Sequence, residues 1–199
     1  MDEWSKYEWM DVGRDDGALI AGCIGVVKGI APGAVGQRLH VDDSSVREAT
    51  VEEAWGLSES DFGNDVVQIT PLSDAVVTFE PNGWRGVDPG VAAALSEQGR
   101  YAAYFWNVNS LMQFVFAEAG SVVRAFDPLL YDNDAGRTEA LAEEEGLPWP
   151  SDDAPSLRPG QASLALIERL TGVEIHRGWL LGARHATYRV KPDPNANEP

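Results

Sequence analysis

Few residues in this 199-residue chain are of types that do chemistry. There are three histidines, His40, His176 and His185, and one cysteine, Cys23. His176 and His185 stand nine positions apart, which is not the i, i+4 spacing that puts two imidazoles on one helix face for a metal. His40 falls at a predicted helix end, where a cationic side chain suits the helix dipole. Cys23 lies inside an apolar run and reads as an inert core residue. One cysteine allows no internal disulfide and no thiolate metal cluster. No G-x-S-x-G, H-E-x-x-H, Walker loop or G-x-G-x-x-G occurs. Carboxylates are plentiful, and strand-end aspartates such as Asp127, followed by Asp132 and Asp134, can ligate Mg²⁺ or Ca²⁺. The Asp132-Asn133-Asp134 triplet lacks the glycine and glutamate of a calcium loop, however, and Asp127 before Pro128 reads as a turn starter. The pattern yields no catalytic residue, no metal site and no cofactor.

Recognition chemistry is better represented. Seven residues are Trp. Trp84 sits beside Arg85 in the turn Asn82–Gly86, and Trp149 stands between two prolines in an acidic loop. An aromatic on a loop rim is a typical binding anchor; the structural alternative is a loop pinned to the body by its Trp. Trp106, Trp179 and Arg124 are the residues that would line a pocket between a sheet and C-terminal helices. The candidate binding residues are therefore Trp84, Arg85, Trp106, Trp149, Trp179 and Arg124.

Charge narrows the partner. The net charge is −17, from 32 acidic and 15 basic residues. Such a surface repels nucleic-acid phosphates and anionic membranes. It would steer the chain to a basic protein partner. Residues 127–153 hold nine acidic residues and one basic residue, Arg137. The longest apolar run, 18–27, is about half a membrane span, and the acidic N-terminus has no signal-peptide pattern. A cytoplasmic location is expected.

These residues must be positioned by elements that the pattern makes visible. The organising stretch is 100–127. Tyr101, Ala103 and Phe105 alternate with Ala102, Tyr104 and Trp106, so both faces of that strand are apolar and need cover. Asn107-Val108-Asn109 and Glu118-Ala119-Gly120 turn the chain into second and third strands. The expected cover is the helix opened by Pro89 on one face and the C-terminal helices on the other. Arg124, on the third strand, is expected to face solvent or a carboxylate. Earlier, 18–28 reads as a buried strand whose Gly22 and Gly25 mark a bulge or a close approach. Pro32 opens a helix to about His40. Residues 42–48 read as a loop, and Thr50 to Glu53 as a capping box. Strands are expected over 65–70 and 74–80. Asp88 caps the next helix, which stops at Gly99. Both strand-to-helix junctions, Gly29–Gly33 and Gly86–Gly90, read G-[IV]-x-P-G, a weak internal repeat. Helices are expected over 136–145, 160–170 and 174–183, with a basic segment at 176–191.

The order of several short motifs resembles an uncharacterised actinobacterial family of small acidic proteins, a domain of unknown function. They are Gly29-Ile30-Ala31-Pro32 after a strand, the turn Glu80-Pro81-Asn82-Gly83-Trp84-Arg85-Gly86, and Asn107-Val108-Asn109 in an aromatic meander. Phe126-Asp127-Pro128-Leu129 and the late break Leu170-Thr171-Gly172-Val173 complete the set. The resemblance spans about Ala18 to Val190 and carries no activity to transfer.

The expected architecture is α+β: a mainly antiparallel sheet of about six strands, helices packed on it, and a helical C-terminal third. Residues 1–17 form an acidic, aromatic N-terminal segment, 18–191 a single domain, and 192–199 a disordered tail. The expected function is non-enzymatic protein binding, as in an immunity-like antagonist or accessory subunit. The alternatives are a small-molecule sensor or enzyme using the pocket above, and a structural part of a phage-derived or injection-system assembly.

Overall fold

The computed structural model describes residues 2–12, 19–60, 66–131, 139–150 and 158–191. Eight strands form an antiparallel sheet: β1 (Gly22–Lys28), β2 (Val41–Ala49), β3 (Val66–Leu72), β4 (Ala75–Pro81), β5 (Arg100–Trp106), β6 (Met112–Glu118), β7 (Ser121–Phe126) and β8 (His185–Val190). Their order is β2-β8-β3-β4-β1-β5-β6-β7. The helices are α1 (Trp9–Val12), α2 (Pro32–Arg38), α3 (Val51–Ser60), α4 (Pro89–Ser96), α5 (Pro159–Thr171) and α6 (Arg177–Gly182), with short 3-10 turns between. The fold is α+β.

Two cores lie on opposite faces of the sheet. On the first, Ile24, Val26, Val77, Phe79, Tyr104, Trp106, Phe114 and Phe126 meet residues of α3, α5, α6 and the N-terminal segment. On the second, Val27, Val67, Val76, Tyr101, Ala103 and Val115 meet Val35 and Leu39 near α2, and Ala92 and Leu95 of α4. The alternation in β5 therefore sends each set of side chains to its own core. Both faces of the meander are covered, by the elements that its apolar pattern requires.

Local signals set many of the boundaries. Thr50 and Glu53 make the reciprocal bonds of a capping box: the Thr50 amide donates to Glu53 Oε2 (2.9 Å) and the Glu53 amide to Thr50 Oγ1 (3.2 Å). Asp88 Oδ1 accepts from the Gly90 and Val91 amides, with Pro89 at the first helical position. α5 begins at Pro159 and is stopped after Thr171 by Gly172, whose φ of 73° is the left-handed cap that glycine favours. Its first amides are capped from a distance: those of Gly160 and Gln161 donate to the Asp11 carboxylate at 3.0 and 2.9 Å. Tyr7 completes that dock, donating to Glu168 Oε2 at 2.8 Å. In β1 the glycines mark close approach rather than a bulge. A Cβ on Gly25 would lie 2.6 Å from Tyr101 Oη and 2.7 Å from Thr78 Oγ1.

The sequence reading undercounts the strands. Residues 42–48 are not a loop but most of β2, and 185–190 of the basic segment are β8. They pair with each other from Val41↔Val190 to Ala49↔His185, with a bulge between Asp42 and Arg47. β2 is an edge strand with most of its side chains exposed, so it lacks the apolar alternation of a half-buried strand. The C-terminal third is accordingly mixed, and the helix expected over 174–183 is shorter, spanning only Arg177–Gly182. Within 136–145, residues Ala142–Glu144 form a 3-10 turn. Residues 136–138, Asp132, Asp134 and the tail 192–199 lie outside the described residues.

Candidate functional site

The fold places the predicted binding residues in four different settings. Trp106 is fully buried, and its indole N–H donates to the Leu19 carbonyl at 2.7 Å. Arg124 is also buried and meets a carboxylate: its Nε and Nη2 donate to Glu144 Oε1 and Oε2 at 2.8 and 3.0 Å. The guanidinium lies 4.3 Å from the centre of the Phe126 ring. Trp149 stacks on Tyr131 at 4.8 Å, meets Phe126 edge-on and donates to the Glu144 carbonyl at 3.2 Å. Arg124, Glu144, Phe126, Tyr131 and Trp149 thus form one unit that pins residues 139–150 to the sheet. Trp149 is the pin of its loop. Among the described residues, neither of the two cavities described below is lined by Trp106, Trp179 and Arg124 together.

Trp84 is different. It is half to two-thirds exposed, on a turn built around the buried Glu80. Glu80 Oε1 accepts from the Gly86 amide at 2.7 Å and Oε2 from the Arg85 amide at 3.0 Å. The carboxyl group fills space left by two missing side chains. A Cβ on Gly83 would lie 2.7 Å from Glu80 Cβ, and one on Gly86 would lie 2.9 Å from Glu80 Oε1. The spacing Glu80, Gly83, Gly86 is therefore a carboxylate folded back onto its own turn, with Trp84 projected outward and Arg85 half-buried. Cys23 and Tyr101 lie against the same turn. Burial, then the charge of Glu80, pushes the Cys23 thiol up. Burial, then Cys23 and Glu80, pushes the Tyr101 hydroxyl up. Both shifts favour the protonated forms.

The registers bring further apolar groups to the same end of the sheet. Gly22 of β1 pairs with Pro81 and Trp106, and Trp106 with Met112. Ile20 before β1, Trp84 after β4, Val108 and Leu111 between β5 and β6, and Leu130 after β7 therefore share one rim. They are 44%, 61%, 64%, 59% and 51% exposed. From β4 to β7 the rim is roughly 19 Å wide at the usual strand spacing. Three of its loops are each held by a polar side chain at the base. Glu80 holds the Trp84 turn. Asn107 Oδ1 accepts from the Asn109 and Leu111 amides at 2.9 and 3.1 Å. Asp127 Oδ1 accepts from the Leu129 amide at 2.9 Å. Sequence reasoning found the turns and Trp84 but missed Ile20, Leu111 and Leu130, whose shared placement depends on strand order.

The opposite end of the sheet opens into a cleft of about 340 Å³ lined by Leu72, Ser73, Asp74, Gly172, Val173, Glu174, His176 and Trp179. Among the described residues, no three His, Cys, Asp or Glu side chains gather as a metal would require. Nor is any helix among them long and apolar enough to cross a membrane.

The sequence pattern of a family of unknown function, DUF6461, matches residues 3–195. The chain belongs to that family. The DUF6461 match takes in the N-terminal dock, the sheet and both of its ends, so the family unit is nearly the whole chain. No match was found among curated proteins or among solved structures.

Proposed function

We propose that this DUF6461 chain is a protein-binding module, of the antagonist or accessory-subunit kind, that docks a basic partner through the Trp84 end of its sheet. The observation that carries this reading is the rim itself. Ile20, Trp84, Val108, Leu111 and Leu130 expose large apolar groups together, and Glu80, Asn107 and Asp127 fix the loops that present them. Contiguous exposed apolar groups on a protein surface mark contact sites. Loops already held in place lose little entropy on binding. The net charge of −17 sets the sign of the partner and favours fast, salt-sensitive encounter.

The test is site-specific photo-crosslinking in the native cell extract. A photoreactive residue at Val108, on the rim, is compared with one at Val46, which is also exposed but lies on edge strand β2. The expected result is a discrete adduct with a basic protein from position 108, weakened by salt, and none from position 46. Equal labelling from both positions, or no adduct from 108 at low salt, overturns the reading.

A further inference from the structure

The cleft at the other end of the sheet has a ligand chemistry of its own. Its described lining offers two carboxylates (Asp74 and Glu174), the Trp179 indole, the Ser73 hydroxyl and the His176 imidazole, and neither Lys nor Arg. Two lysines neutralise the carboxylates from outside that lining. Lys28 pairs with Asp74, and Lys6 Nζ lies 3.2 Å from Glu174 Oε2. His176 Nδ1 lies 3.2 Å from Glu174 Oε1. These pairs are partly exposed, and such pairs are worth only about 0–1 kcal/mol each. A cationic ligand can displace them at little cost.

An independent observation lies behind the indole. A void of about 10 Å³, close to the space one water needs, is lined by Gln68, Thr70, Val77, Phe79, Trp179, Leu180 and His185. Trp179 is a wall of both spaces. Gln68, Thr70 and Leu72 are alternate residues of β3 and share one face of that strand, so the void and the cleft lie end to end along it. Gln68 is 1% exposed. Its Nε2 donates to the Ala49 carbonyl (3.0 Å), the Thr50 carbonyl (3.3 Å) and Thr187 Oγ1 (3.1 Å). Those three acceptors fix which end of the amide is which. Gln68 Oε1, the other end, is buried and accepts from no donor among the described residues. An orphaned buried acceptor is costly, and a donor brought to it by a ligand or its water recovers that cost.

We propose that this cleft binds a guanidinium group, stacked on Trp179 between Asp74 and Glu174, with Gln68 Oε1 behind the indole accepting from a water held in the void. Guanidinium fits better than ammonium. It is planar, stacks on aromatic faces, is more weakly hydrated and carries five N–H donors. The group arrives either on a free small molecule or as an arginine side chain of a peptide. The site lies at the opposite end of the sheet from Trp84, so it stands or falls apart from the docking proposal.

The experiment is a titration of the full chain with L-arginine amide, its neutral isostere L-citrulline amide, and the tripeptide Gly-Arg-Gly, followed by calorimetry and by the indole N–H resonance of Trp179. Arginine amide or the tripeptide is expected to bind saturably and shift that resonance, with citrulline amide at least about tenfold weaker. Tight binding by the tripeptide alone assigns the site to a peptide, and equal binding by both assigns it to the free group. Asp74→Asn, on an exposed side chain, and Glu174→Gln, on a partly exposed one, are expected to fold with unchanged melting temperature and together weaken binding about tenfold or more. The proposal is overturned by absence of saturable binding up to about 10 mM. It is equally overturned by citrulline amide matching arginine amide, or by the paired variant binding as the native chain does.

Discussion

Removing either partner of the Arg124–Glu144 pair should cost far more than removing both. The two side chains are each 1% exposed and joined by parallel bonds of 2.8 and 3.0 Å. In Arg124→Met the Glu144 carboxylate stays buried without its counter-charge. In Glu144→Leu the guanidinium loses both of these bonds, and the Leu141 amide, which donates to Glu144 Oε1 at 2.9 Å, loses its acceptor. Breaking one side of a buried pair costs about 3–5 kcal/mol. For a chain of this length that is a fall in melting temperature of about 6–20 °C. The double variant Arg124→Met/Glu144→Leu removes both charges of the pair together. It loses the contact of the guanidinium with the Phe126 ring, worth about 0.5–2 kcal/mol, and the one bond to Leu141, worth about 1 kcal/mol. Its total cost should be about 1–3 kcal/mol, well under the sum of the singles, giving a coupling energy of about 3 kcal/mol or more. Urea unfolding of the four proteins measures the cycle, and the stacked Trp149–Tyr131 pair supplies a local fluorescence signal. Single costs below about 1 kcal/mol that add in the double variant would refute the reasoning.

Two further outcomes follow from buried groups. Glu80→Ala removes both acceptors of the Arg85 and Gly86 amides, at a cost of about 2–4 kcal/mol. Hydrogen exchange at those two amides should speed up while the β5–β6 ladder stays protected, and unchanged protection there would count against the carboxylate as the holder of the turn. The second outcome is alkaline. Tyr7 is pushed up by burial and then by its bond to Glu168, and Tyr101 by burial and then by Cys23 and Glu80. A folded-state value above the unfolded one means the folded chain holds its protons longer, so this stability is complete below about pH 10 and is lost as pH rises through the folded values. Tyrosinate absorbance from these two residues should therefore appear together with unfolding above about pH 10; ionisation of both in a chain that keeps its fold would contradict it.

The fold was legible where the signal is local. Thr50 with Glu53, Asp88 before Pro89, Gly172 after α5 and Asp127 before Pro128 each announce an element within four residues. The two-sided alternation of β5 also announced cover on both faces. β2 and β8 were illegible because their pairing joins segments well over a hundred residues apart, β2 is an edge strand that pairs only with β8, and the bulge between Asp42 and Arg47 breaks its period. The candidate sites divide in the same way. Trp84 stood out from its turn, while the reason it projects is the fold-back of Glu80 across the Gly83 and Gly86 gaps. Arg124 was expected to face solvent or a carboxylate, and its partner Glu144 lies 20 residues on, in a segment that read as an acidic helix. The Trp179 cleft joins the β3–β4 turn to the α5–α6 connection, residues roughly a hundred positions apart, which no periodicity can register.

The docking account is tested most directly by capture from native extract at low salt with the native chain and with Trp84→Ser/Val108→Ser. Both residues are exposed, so the variant should melt within about 1 kcal/mol of the native chain. The account predicts a basic protein held by the native chain, released by salt, and lost or weakened by about tenfold or more with the variant. Capture of the same protein equally by both chains would contradict it.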